Sequence, residues 1–132
     1  MKKKITAFVL AALLVCAMAV PVSAAYSYGD TFYGATGSCS YEVYAVCSNT
    51  GWNAFTRWIS STDGYQNYVL KTDVTPTVYR GNERIVMEKQ PGAENLRMAT
   101  NINSQAYAMH SIRCDYYINQ IKVVGPVTVY PE

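Results

Sequence analysis

The sequence predicts an all-β protein, a small antiparallel β-sandwich of about six to seven strands with a small β-barrel as the alternative, preceded by a helical signal peptide. Three observations predict it. Apolar and polar residues alternate with a period of two through most of the chain. Groups of Gly, Pro, Asn and Asp interrupt the alternating runs at spacings of ten to fifteen residues. Beyond the first two dozen residues no stretch carries a 3.6-residue apolar period.

The N-terminus reads as an export leader. Lys2, Lys3 and Lys4 are followed by an apolar run from Ile5 to Val20, then Pro21 and the small-residue stretch Val22, Ser23, Ala24. The run is shorter than the ~20 residues of a membrane-spanning helix, and Pro21 stands where a helix-breaker precedes cleavage. Residues 1–24 are therefore expected to be removed after Ala24, by the general secretory route, leaving no stable membrane anchor and a secreted chain of 108 residues. Cys16 goes with the leader, because Val15 before it is not the small residue a lipoprotein site needs. A chain of this length builds one core, so residues 38–132 are read as a single β-domain and 25–37 as a flexible N-terminal arm or edge strand.

The elements follow in order. Tyr41, Val43, Ala45 and Cys47 share one parity between Ser40 and Ser48, which is a strand. After Asn49, Thr50 and Gly51, residues Trp52, Ala54, Thr56 and Trp58 face one way and Phe55, Arg57 and Ile59 the other, completing a hairpin. Thr62, Asp63 and Gly64 make a turn of the Asp-Gly kind, and Tyr68, Leu70, Thr72 and Val74 form a third strand that Thr75 and Pro76 are expected to end. Ile85 with Met87, and then Leu96, Met98, Thr100 and Ile102, mark the fourth and fifth strands. Residues 106–117 look apolar on both faces, as a central strand would. Residues 121–130 are β-branched and interrupted by Gly125 and Pro126, which predicts a bulge or an edge.

Removing the leader leaves eight basic residues against nine acidic, a net charge of −1. Nothing clusters Lys and Arg, so nucleic acid is not an expected partner. Cys39, Cys47 and Cys114 remain, and an oxidising compartment predicts one disulfide. Cys39 and Cys47 on one extended strand lie about 26 Å apart. The expected pair is Cys47 with Cys114, each inside an alternating apolar run, and Cys39 is left over.

Catalytic chemistry finds few parts. His110 is the one histidine, and Cys114, four residues along an extended strand, is ~13 Å away. No catalytic residue, no metal site and no cofactor is expected, because one His, three scattered Cys and isolated carboxylates do not make a ligand set. All twelve tyrosines and both tryptophans lie after the leader. Such side chains are how extracellular modules grip sugars and proteins, although Tyr also serves strands and cores. The sequence thus points to a non-enzymatic binding module for a glycan, a cell-wall component or a protein surface, with Trp52, Tyr65 and Tyr68 around the Asp-Gly hairpin as contact residues and Trp52 expected to be exposed. Two other classes fit the same features: a small secreted toxin or bacteriocin-like antimicrobial, and a cell-surface assembly protein joined through the odd Cys or the C-terminal edge strand.

Overall fold

The computed structural model describes residues 22–23 and 25–131, so the expected leader helix lies outside the described residues. The strands are β1 (Val22–Ser23), β2 (Ala25–Tyr33), β3 (Ser38–Cys47), β4 (Gly51–Ser61), β5 (Leu70–Arg80), β6 (Glu83–Val86), β7 (Met98–Ser104), β8 (Met109–Ile118) and β9 (Ile121–Tyr130), with one 3₁₀ turn at Tyr65–Asn67. They form two sheets packed face to face, a five-stranded one in the order β1-β9-β8-β5-β6 and a four-stranded one in the order β2-β3-β4-β7. Every pairing is antiparallel except the two-residue contact of β1 with Val129 and Tyr130. The sheets do not close into a barrel.

The core follows from parity. On β3 every second residue is buried, so Cys39, Tyr41, Val43, Ala45 and Cys47 face inward. Ala54 and Thr56 continue that layer on β4, and Leu70, Val74, Val78, Ile112, Cys114, Tyr116, Ile118, Val127 and Val129 answer it from the other sheet. Each fully buried Leu, Ile or Val contributes roughly 1.5–3 kcal/mol by leaving water. Tyr116 crosses the whole layer, and its hydroxyl donates to the Tyr44 carbonyl at 2.9 Å.

Of the arm and the edge strand left open for residues 25–37, residues 25–33 form the edge strand, paired residue for residue with β3. Two elements differ from the sequence reading, each for a physical reason. β5 runs through Pro76 to Arg80. The Pro76 carbonyl accepts from Met87 N–H at 2.8 Å, so the proline nitrogen faces that side too and the ladder to β8 loses no donor. The fourth strand stops at Val86, and residues 87–97 then cross from one sheet to the other. Backbone bonds of Val74 with Gln90 and of Leu70 with Asn95 hold that crossing segment against β5.

Two polar clusters tie the layers together. Inside the core, Thr56 Oγ1 and Thr72 Oγ1 lie 2.8 Å apart, and Thr72 also donates to the Ala99 carbonyl at 2.9 Å, so one hydroxyl pair links β4, β5 and β7. On the outer side of the five-stranded sheet Asp73 and Asp115 stand directly opposite each other and are both buried. Like charges in that position repel. Lys71 and Lys89, each 3.7 Å from Asp73, and Lys122, 3.1 Å from Asp115, offset the repulsion. Gly92 donates its N–H to Asp73 at 3.0 Å and passes so close to the Thr72 carbonyl that a Cβ would overlap it. Gly125, at φ +127, lies where a Cβ would come within 2.9 Å of Asp115 Oδ1.

The threonine pair sets a stability expectation. Thr72→Val keeps the shape and removes a buried hydroxyl, which should lower unfolding stability by about 1–3 kcal/mol in urea titration. Thr56→Val combined with Thr72→Val should lose less than the sum of the single changes, since neither hydroxyl is then left without the other. Strict additivity would show that the two hydroxyls do not act together.

Candidate functional site

The residues singled out in the sequence do not come together. Trp52 is 3% exposed and Tyr68 1% exposed, which corrects the expectation that Trp52 stands in solvent. Trp52 has the inward parity of β4, opposite Cys47, and lies at the hairpin end of that strand, whereas Tyr65 and Tyr68 follow its other end. Tyr68 packs edge-on against Phe32 with ring centroids 6.3 Å apart, and its hydroxyl donates to Asp63 at 2.6 Å. Thr36 and Asn67 donate to the same carboxylate at 2.5 and 3.0 Å. The hydrogen bonds from Thr36 and Tyr68 hold the Asp63 carboxyl below its usual range, and burial together with Asp63 pushes the Tyr68 phenol up to about 12. Asp63 and Tyr68 are thus a loop lock. Tyr65 is half-buried under Arg97, whose guanidinium lies 4.0 Å from its ring centre, and sits edge-on to Trp58 at 5.9 Å.

The expected disulfide is also absent. Cys39, Cys47 and Cys114 are all buried free thiols. Cys47 and Cys114 belong to facing sheets, and the Cys47 thiol is turned to the Ser48 carbonyl at 3.6 Å. Burial pushes Cys39 and Cys47 up to about 11 and Cys114 to about 12, so none is poised as a thiolate nucleophile.

What the fold does assemble is the outer face of the four-stranded sheet. The parity that buries Val43 and Ala45 turns Glu42, Tyr44 and Val46 outward, and Asn53, Phe55 and Arg57 meet them across the β3–β4 ladder. Tyr44 and Phe55 stack with centroids 5.1 Å apart and planes 21° from parallel. Arg57 lies 5.9 Å from the Phe55 ring centre and pairs with Glu42. On the other side of the aromatic pair, Val46, Asn53 and Ile102 share a row. They border an open depression of about 650 Å³ that continues past Thr50 and Gly51 to Ser104. Ile102 is 68% exposed, a large apolar side chain offered to solvent. Trp52 Nε1 and Asn53 Oδ1, both from residues lining this depression, are buried without a hydrogen-bond partner. Buried donors and acceptors are nearly always paired, so the hairpin end is a place where the protein's own polar groups do not satisfy one another.

The core parity of each strand does not single out Tyr44 and Phe55, which stand at the outward parity. The signal that would have found them is an aromatic at the solvent parity of two consecutive strands, in a hairpin whose register makes them neighbours.

A second polar cluster surrounds His110 on the five-stranded sheet. The β5–β8 register shifts between Thr77 and Val78, whose partners are Ser111 and Met109, so His110 is the extra residue of a bulge and is aimed outward. Tyr79 and Tyr130 sit edge-on to it at 5.4 and 5.5 Å. Arg84 Nη1 lies 3.2 Å from Nε2 and Ser111 Oγ 2.9 Å from Nδ1. A guanidinium only donates, so Nε2 accepts and the ring proton is on Nδ1. Among the described residues no three His, Cys, Asp or Glu side chains come together as a metal-ligand group.

Burial, reinforced by Arg84, pushes the His110 imidazole below its usual 6.5. The folded protein thus binds this proton less readily than the unfolded chain. The stability that the neutral ring contributes should be fully present above pH ~6.5 and lost as pH falls through the lower folded value. An NMR titration of the ring should give a midpoint below 6.5, moving upward in Arg84→Ala; a midpoint at or above the unperturbed value would contradict the Arg84 contact.

Compared with known proteins, the chain matches no protein family, and no curated protein or solved structure is significantly similar to it.

Proposed function

We propose that this chain is a secreted, non-catalytic binding module that takes a polysaccharide, such as a cell-wall glycan strand, on the outer face of its four-stranded sheet. The observation that carries the reading is the stacked Tyr44–Phe55 pair, half-buried on the outer face of the sheet between the Glu42–Arg57 ion pair and the depression beside Val46, Asn53 and Ile102. A sugar ring has an apolar C–H face and a rim of hydroxyls. Aromatic rings meet the first, and planar polar side chains such as Arg, Glu and Asn meet the second. The net charge of −1 after the leader favours a neutral polymer over nucleic acid.

Retention on insoluble peptidoglycan, chitin and cellulose tests the reading. Each of Phe55→Ala and Tyr44→Ala should weaken binding about ten-fold, equivalent to about 1.4 kcal/mol. Tyr65→Ala, away from this face, should leave it unchanged. No retention on any polymer by the folded protein, or equal retention by both aromatic variants, would sink the proposal. Export belongs to the same reading: N-terminal sequencing of protein recovered from the medium should begin at Ala25, and a start at Met1 would refute it.

A further inference from the structure

The four-stranded sheet ends in β2, and the nine residues of that strand form an edge unlike the others among the described strands. All nine pair with β3 without a bulge, and among the described strands none pairs with the opposite side. The other edges are blunted. β6 has four residues, and on the far side only the two-residue β1 lies beyond β9, which itself carries two register shifts. β7 is stitched to β5 and the crossing segment through Thr72 to the Ala99 carbonyl, and through Asn101 to the Thr72 and Gln90 carbonyls. β2 carries no Lys, Arg or Pro, and seven of its nine residues are exposed. Long uncovered edges of this kind are templates for another strand.

We propose that β2 is a homodimer interface, in which two copies pair β2 with β2 antiparallel about a two-fold axis through Gly29. The occupant is named by the sequence of the strand, which is complementary to itself about that residue. With Gly29 on the axis, Tyr28 lies opposite the partner's Asp30, Ser27 opposite the partner's Thr31, and Tyr26 opposite the partner's Phe32. Phenol meets carboxylate and hydroxyl meets hydroxyl, each twice by symmetry, while Tyr26 and Phe32 stay packed in their own core. Within one chain the Tyr28 hydroxyl already donates to Asp30 at 3.0 Å, so the two groups reach each other on that face. Asp30 is the only charge on the strand, and this register keeps it away from direct opposition to its own copy. The axis stands perpendicular to the sheet, so the product is one continuous eight-stranded sheet with both Tyr44–Phe55 pairs on the same side. The interface does not depend on what that face binds, but it would make binding to a polymer bivalent.

Sedimentation of the purified protein tests this, with charge pairs placed where Ser27 and Thr31 oppose each other. Both side chains are exposed and outside the core, so the ladder to β3 should survive substitution. The unaltered protein should sediment at twice the chain mass. Ser27→Glu with Thr31→Glu, and separately Ser27→Lys with Thr31→Lys, should each sediment as monomers, and their equimolar mixture should return to the dimer. Gly29→Cys should cross-link to a covalent dimer under mild oxidation, and this decides the question if a charged variant fails to fold. A monomeric unaltered protein at high micromolar concentration, like-charged variants that stay dimeric, a mixture that stays monomeric, or no cross-link would each overturn the proposal.

Discussion

The strict alternation of β3 is the constraint on which the remaining structure depends. Its inward parity supplies Tyr41, Val43, Ala45 and Cys47 to the core, and its outward parity supplies Glu42, Tyr44 and Val46 to the candidate binding face. Because strand side chains repeat every two residues, slipping β3 by one position would exchange the two sets, exposing the core and burying the Glu42–Arg57 ion pair. Core and surface are therefore two readings of one register. The neighbours β2 and β4 inherit that register through unbroken ladders on most of their length.

Apolar burial alone would let the two sheets slide over each other, since it has no direction. Directional bonds fix their alignment. Tyr116 reaches the Tyr44 carbonyl, and the Thr56–Thr72 pair joins the layers near the crossing segment. Both contacts place polar atoms in the interior, where they are worthwhile only because each finds a partner. The opposed Asp73 and Asp115 do similar work on the outer side. Their carboxylates gather Lys71, Lys89, Lys122 and the Gly92 amide, and so draw the crossing segment and β9 against the sheet.

Aromatic residues divide between two tasks that composition cannot separate. Tyr41, Tyr68, Tyr116 and Trp52 are buried and fill a core that has few Leu and Phe. Tyr44 and Phe55 lie half-buried on the outer face of the four-stranded sheet, stacked on each other across the β3–β4 ladder. A chain rich in Tyr can supply both, because the ring is a good strand residue on either face and its hydroxyl is satisfied by a carbonyl, a carboxylate or water.

The sequence by itself determined the all-β class, the β3–β4 hairpin and the parity of the core residues from Tyr41 to Val74, because alternation and turn chemistry are local properties. It also showed the interruption at Gly125 and Pro126, where the β8–β9 register does shift. Only the tertiary structure decided what lies across from what. Trp52 beside a turn reads as exposed, but its inward parity places it in the buried core. Pro76 reads as a strand end, but its nitrogen faces the side where no β8 ladder bond is needed. Asp73 and Asp115 read as separate solvated charges, and the β5–β8 register sets them face to face. The Tyr44–Phe55 pair depends on the same kind of information, a pairing between strands. Parity within a strand is written in neighbouring residues, whereas partners across strands are chosen by the packing of the whole chain.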